Sequence, residues 1–214
     1  MTRTTSDQHA ARKLRRELNR AAKIDPRLRD LLARIGYPPP RTRPPGFQTL
    51  LRIIVSQQLS TAAAATIWSR IETLCRRRIT HRTILNRDRA QLRECGLSRQ
   101  KVDYAHGLAR MVAHKKIDLD AIGELDSESA IAELIAIRGI GRWSAEIYAM
   151  FALGHDDVFP AGDLALQVAV QHYASLRARP DAKRTAQIAR RWSPHRSSVS
   201  LLMWRYYGAA TLDD

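Results

Sequence analysis

Three groups of residues have types and spacings that could do chemistry. A single carboxylate, Asp163, follows the turn-forming run Pro160-Ala161-Gly162 and opens a helix-like stretch. A carboxylate there can take part in a reaction, or it can simply cap the helix. Upstream, Leu134–Ile147 reads as helix, tight turn, helix, with Gly139-Ile140-Gly141 as the turn. Glycines suit backbone angles closed to other residues and let a second backbone come close. The free N–H groups at the start of the following helix favour an anion, and Ile140 would plug the gap between the two helices. The third group is Ser56-Gln57-Gln58-Leu59-Ser60, a polar break between two helical runs that is sharp enough to project a side chain.

The elements that must carry these groups are helices. Strand-like alternation is missing, and apolar residues recur at helical spacing instead. One helix covers His9 to Lys23. Asp25 caps the next, with Pro26 at its first position, and it ends at Gly36. The stiff connector YPPPRTRPPG follows and is the best candidate boundary. Phe47–Ser56 places Phe47, Leu50, Leu51, Ile54 and Val55 on one stripe. Ser60 caps an alanine-rich helix. Further helices fall near Ile84–Glu94, Arg99–His114, Ser129–Ile137, Asp163–Tyr173, Ala182–Trp192 and His195–Tyr207. The class is all-α.

Composition narrows the partners. The chain has 214 residues, 36 Lys and Arg against 21 Asp and Glu, and a formal charge of +15. The excess is nearly all arginine, whose planar fork matches phosphate, and so a nucleic acid is the expected partner. Two cysteines, Cys75 and Cys95, make neither a disulfide framework nor a four-cysteine cluster. No segment is apolar for long enough to be a signal peptide or a membrane span. The sequence therefore predicts a cytoplasmic protein (nucleoid-associated in a prokaryote) with no membrane association, and a monomer because no coiled-coil seam is present.

On these residues the chain resembles the helix-hairpin-helix DNA glycosylases, whose hairpin grips a DNA phosphate and whose essential Asp follows a Gly/Pro-rich loop. Asp163 stands twenty residues beyond Trp143, as that pattern requires. GIGRWSA, DVFPAGD, RRWSPHRS and SQQLS are similar to the DNA-3-methyladenine glycosylase II branch, in a compact form without its N-terminal β domain. The resemblance covers roughly Phe47 to Gly208. It implies two helical lobes, residues 46–155 and residues 1–45 plus 156–214, with the active site in the cleft between them.

It also implies roles. Asp163 would be the catalytic carboxylate, stabilising a sugar cation and orienting water, and a helix N-terminus suits a negative charge. Trp143 occupies the position where lyase members of the family carry a nucleophilic lysine, so base removal without strand cleavage is expected. Trp143 and Trp204 would line the pocket of the flipped base, because an indole face attracts a cationic alkylated purine. Trp68 and Trp192 read as core. Tyrosines of larger relatives align with Ile147 and Leu164, which makes the pocket less aromatic. Gln58 is the expected DNA wedge, with Gln57 supporting it and Leu59 as the alternative. Arg138, Gly139, Ile140, Gly141 and Arg142 form the phosphate-binding hairpin, and Arg142 is the first candidate to hold the DNA backbone, followed by Arg138 and Arg196.

The expected substrate is double-stranded DNA with damaged bases of the 3-methyladenine or 7-methylguanine type. No cofactor or metal is expected, apart from a possible monovalent cation at the hairpin when DNA is bound. Two other readings are a non-catalytic protein that senses distorted duplex, and a glycosylase for a deaminated or oxidised base.

Overall fold

A computed structural model describes residues 5–210. Those residues form helices α1 (Thr5–Ile24), α2 (Pro26–Ile35), α3 (Phe47–Ser56), α4 (Thr61–Leu74), α5 (His81–Leu85), α6 (Arg89–Glu94), α7 (Arg99–Ala113), α8 (Leu119–Gly123), α9 (Ser127–Ile135), α10 (Arg142–Tyr148), α11 (Leu164–Tyr173), α12 (Ala182–Ala189) and α13 (Arg196–Ala210). A π-helical turn, Ala149–Leu153, extends α10, and a 3₁₀ turn, Arg190–Trp192, follows α12. No strand occurs among the described residues, so the protein is all-α.

The chain divides into two compact units. One spans Arg43–Leu153; the other takes the described residues up to Thr42 and those from Gly154 onward. In the Arg43–Leu153 unit α3 is the central rod, packed against α4, α7 and α10. Its apolar positions go beyond a single stripe: Leu50, Leu51, Ile53, Ile54 and Val55 are all buried, as a helix surrounded by others requires. Trp68, Cys75 and Cys95 are buried in this unit too, the cysteines as free thiols. The second unit packs α1, α2, α11 and α13 around Leu18, Leu28, Leu166, Trp192 and Leu202.

Local chemistry sets the boundaries. Ser60 Oγ accepts the Ala63 N–H at 3.2 Å and starts α4. The stretch expected as one helix from Ile84 to Glu94 is two, α5 and α6. Asp88 interrupts it by closing a reciprocal capping box with Gln91, at 2.8 and 3.1 Å, which fixes a new N-terminus there. Asp25 stands at the N-cap position of α2, but its side chain does not cap. Its Oδ2 instead accepts the Trp192 indole N–H at 3.1 Å in the core. Helix α8 and the π turn went unforeseen; α8 is a five-residue helix that depends on the Asp118 cap.

Candidate functional site

The hairpin lies between α9 and α10. The Ile140 N–H donates to the Ile137 carbonyl at 2.9 Å and closes the turn. Ile137 and Ile140 are buried at 1 % and 4 % exposure and pin the turn to the core. The two glycines differ. Gly139 has φ +96°, and an added Cβ would meet the Tyr104 ring at 2.3–2.7 Å. Gly141 has φ −86° and nothing within 4 Å of such a Cβ, so only Gly139 needs to be glycine for the fold. Gly141 is the N-cap of α10 and gives it no side-chain cap. A glycine there offers no side-chain acceptor of its own to the first turn of α10.

Arg138 and Arg142 are exposed on this turn. The Arg142 guanidinium donates to Glu146 Oε1 at 3.0 Å and to Glu128 Oε2 at 3.3 Å. The Arg142 and Glu128 side chains are 60 % and 72 % exposed, a surface pair of a kind that holds weakly, whereas the Glu146 carboxylate is buried at 6 %. A phosphate can therefore compete with Glu128 for the guanidinium. Trp143 is half-buried in the first turn of α10, and Tyr148 is fully buried. The Tyr148 hydroxyl accepts the Gly46 N–H at 2.7 Å, which commits it to the frame of the unit.

The break after α3 is bonded to the hairpin. Gln57 Nε2 donates to the Gly139 carbonyl at 2.8 Å and to Ser144 Oγ at 2.9 Å. Gln57 thus faces inward, whereas Gln58 and Leu59 are exposed, Leu59 at 40 %. Gln58 has φ +54°, a left-handed backbone that few residues other than glycine and asparagine adopt. Beneath the break, Lys101 Nζ donates to the carbonyls of Val55 and Gln57 at 2.7 and 2.6 Å. Burial pushes its pKa below the ordinary lysine value. Sequence reasoning missed Lys101. One lysine in the first turn of a helix carries no local sign that it will reach another helix 46 positions away.

In the other unit Asp163 is the N-cap of α11, and its Oδ1 accepts the Leu166 N–H at 3.0 Å. The same oxygen accepts the Trp204 indole N–H from α13 at 3.1 Å. The Arg41 guanidinium lies 5.8 Å above the Trp204 ring. The loop leading to Asp163 is stitched to the start of α13. Ser197 Oγ donates to the His155 carbonyl at 2.7 Å and accepts the Val158 N–H at 3.0 Å. Arg196 grips Asp157 with two bonds of 2.7 and 3.1 Å. Arg196, a further candidate to hold the DNA backbone, is paired bidentately with Asp157. Leu164 is exposed at 56 % and Ile147 is buried at 9 %. Trp192 is fully buried, as a core residue should be.

Residues 51–195 match the HhH-GPD superfamily of base excision DNA repair proteins. This chain belongs to that superfamily. It is 28 % identical over 190 residues to the alkylbase DNA glycosidase-like protein mag2 of Schizosaccharomyces pombe, covering 85 % of this chain and 88 % of that one. A DNA-3-methyladenine glycosidase from Bacillus halodurans has a similar structure, with a TM-score of 0.78, 29 % identity and coverage of 92 % and 91 % of the two chains. The S. pombe 3-methyladenine DNA glycosylase Mag1, solved in complex with abasic DNA, has a TM-score of 0.81 at 27 % identity, covering 88 % and 95 %. No helix among the described residues is long and apolar enough to cross a membrane, and they hold no cluster of three metal-binding side chains.

Proposed function

We propose that this HhH-GPD protein is a DNA glycosylase of base excision repair. It extrudes alkylated purines, of the 3-methyladenine and 7-methylguanine type, from duplex DNA and hydrolyses their N-glycosidic bond. The observation that carries this is the Asp163 corner. One carboxylate sits at a helix N-terminus, oriented by two N–H donors on the same oxygen, in a chain whose relatives are named alkylbase and 3-methyladenine glycosylases.

The residues divide the work as follows. The hairpin amides, with Arg138 and Arg142, hold a backbone phosphate, and such contacts give affinity without sequence preference. Gln58 fills the space left by the extruded base, at the usual cost of unstacking, and its exposed left-handed position after α3 suits a projecting side chain. Trp143 offers an indole face to the cationic base. An alkylated cationic purine is already a good leaving group, so the bond breaks toward a sugar cation that the Asp163 carboxylate stabilises while it directs water to the anomeric carbon. With tryptophan at position 143 no amine attacks the sugar, and the product is an intact abasic site. The enzyme acts as a monomer in the cytoplasm or nucleoid. A monovalent cation at the hairpin would share carbonyls already in use. Those of Ile137 and Gly139 accept bonds from Ile140 and Gln57, and each keeps a second lone pair.

The competing reading is a non-catalytic binder in which Asp163 is only a cap. The Asp163→Asn variant separates the two, because asparagine caps a helix as well as aspartate does but carries no charge. Purified parent and variant are incubated with DNA treated with a methylating agent, and the released bases are identified. Release of 3-methyladenine or 7-methylguanine by the parent, with a loss of about 10²–10³-fold or more in the variant, is expected. Unchanged melting temperatures would show that the cap is kept. No release by a parent that still binds duplex refutes catalysis on these lesions.

A further inference from the structure

The hydrogen bonds beneath the α3–α4 break form one continuous tie. Lys101 holds the carbonyl of Val55 in the last turn of α3 and that of Gln57, the C-cap residue just beyond it, where helix carbonyls lack a partner within the helix. Gln57 carries the tie onward through its amide to Gly139 in the hairpin and to Ser144 in α10, a residue only 3 % exposed. Three residues beyond Lys101, on the same face of α7, the Tyr104 ring lies directly under Gly139, so closely that no side chain fits there. One turn of α7 therefore touches both the loop that bears Gln58 and the hairpin.

We infer that Lys101 is a positioning residue for base extrusion. Through the carbonyls of Val55 and Gln57, and through the Gln57 amide, it locks the Gln58 loop in register with the phosphate-gripping hairpin. A duplex held by its backbone at the hairpin is then met by the wedge at a fixed offset. The ammonium touches no DNA in this arrangement. It neutralises the negative end of α3 and keeps Gln57 turned inward, which leaves the neighbouring Gln58 exposed in its left-handed conformation. The inference rests on the glycosylase reading above, in which Gln58 is the wedge.

If this holds, loss of the tie impairs opening of the duplex and not chemistry on a base that is already accessible. The experiment compares the full-length parent, Lys101→Met, Lys101→Arg and Gln57→Ala on 7-methylguanine paired with cytosine, and on the same lesion in an unpaired bubble. For Lys101→Met the single-turnover rate on the paired lesion should fall about 10–100-fold, the scale of a misplacement near 1 Å. Its rate in the bubble should stay near that of the parent, and its affinity for undamaged duplex should be unchanged. Lys101→Arg, which keeps a cation and several donors, should recover most of the paired rate. Gln57→Ala should show the same bubble-rescued pattern from the other end of the tie, and it decides the matter if Lys101→Met does not fold. Equal losses on both substrates, or no loss on the paired one, overturn the inference. A second readout needs no chemistry: 2-aminopurine placed beside an abasic-site analogue reports insertion of the loop by its fluorescence. The parent should give a change that Lys101→Met lacks, and an equal change in both also overturns the inference. A parent that releases no base from any substrate overturns the glycosylase reading, and the fluorescence comparison still judges the tie.

Discussion

The two glycines of the hairpin should respond very differently to the same substitution. Gly139 has φ +96°, and an alanine Cβ there would lie 2.3 Å from Tyr104 Cγ and within 2.7 Å of both Cδ atoms. The positive φ costs roughly 1–2 kcal/mol for a residue with a Cβ. Forcing the half-buried Tyr104 ring aside costs about 1–3 kcal/mol more. For a chain of this size each kcal/mol moves the midpoint by roughly 2–4 °C, so Gly139→Ala should melt on the order of 5–20 °C below the parent. Gly141 has φ −86° and open space around its Cα. Alanine there is free of strain, and the roughly 0.4–1 kcal/mol it gains by restricting the unfolded chain is offset by its poor standing beside glycine at an N-cap, so the midpoint should stay near that of the parent. Circular dichroism melts of both variants, followed by fluorescence anisotropy with a duplex, make the comparison. A Gly139→Ala midpoint within about 2 °C of the parent would show that Tyr104 yields without cost, and the account of the hairpin would fail. An equally deep loss in Gly141→Ala would refute the distinction between the two glycines.

Two further outcomes follow from the charges. Burial works against the carboxylates of Glu17, Asp25 and Asp157. It is outweighed by Arg16, His195 and Arg20 around Glu17, by Trp192 and Arg27 at Asp25, and by Arg196 and Ser193 at Asp157, which leaves all three below their usual values. A carboxylate depressed in the folded state contributes stability above its unfolded pKa and loses it as pH falls through the folded one. Melting temperature should therefore hold from neutral down to about pH 5 and drop steeply through and below about 4; a midpoint that stays level or rises across that range refutes this assignment. Arg142→Ala should weaken binding to all duplexes alike and lower the slope of log K against log salt by about 1. An unchanged slope would mean that Arg142 stays with Glu128 and Glu146 when DNA is bound.

Much of the fold could be read from local chemistry. Pro26 at the head of α2, Ser60 at the head of α4 and the helical spacing of α7 each act over a few residues, and the structure has them where the spacing puts them. Errors arose where a side chain chose a distant partner over a near one. Asp25 has the sequence of a cap, yet it turns to Trp192, 167 positions away. Arg196, a candidate for the DNA backbone, also serves Asp157 with its fork, a pairing 39 positions away that the sequence does not announce. The capping box at Asp88 was legible in Asp-x-x-Gln and was overlooked. The difference between Gly139 and Gly141 was not legible, since it depends on a ring brought from α7. Lys101 was illegible for the same reason.

In sequence Asp163 reads both as a helix cap and as a reactive acid, and its geometry makes these roles compatible. A carboxylate that only capped α11 would need the Leu166 N–H and nothing more. Here a second donor, the Trp204 indole, comes from α13 to the same oxygen. The start of α13 is in turn bonded to the loop that delivers Asp163, through Ser197 to His155 and Val158 and through Arg196 to Asp157. Two helices and one loop thus fix the direction of a single, partly exposed carboxylate. Capping contributes only about 1 kcal/mol, and a water-exposed aspartate achieves that without a tryptophan. On the proposed catalytic reading, what the additional donor supplies is preorganisation: a charge held in place before the reaction needs it, so that little reorganisation is left for the moment of bond breaking. On that reading the cap is the first of the constraints that orient the acid.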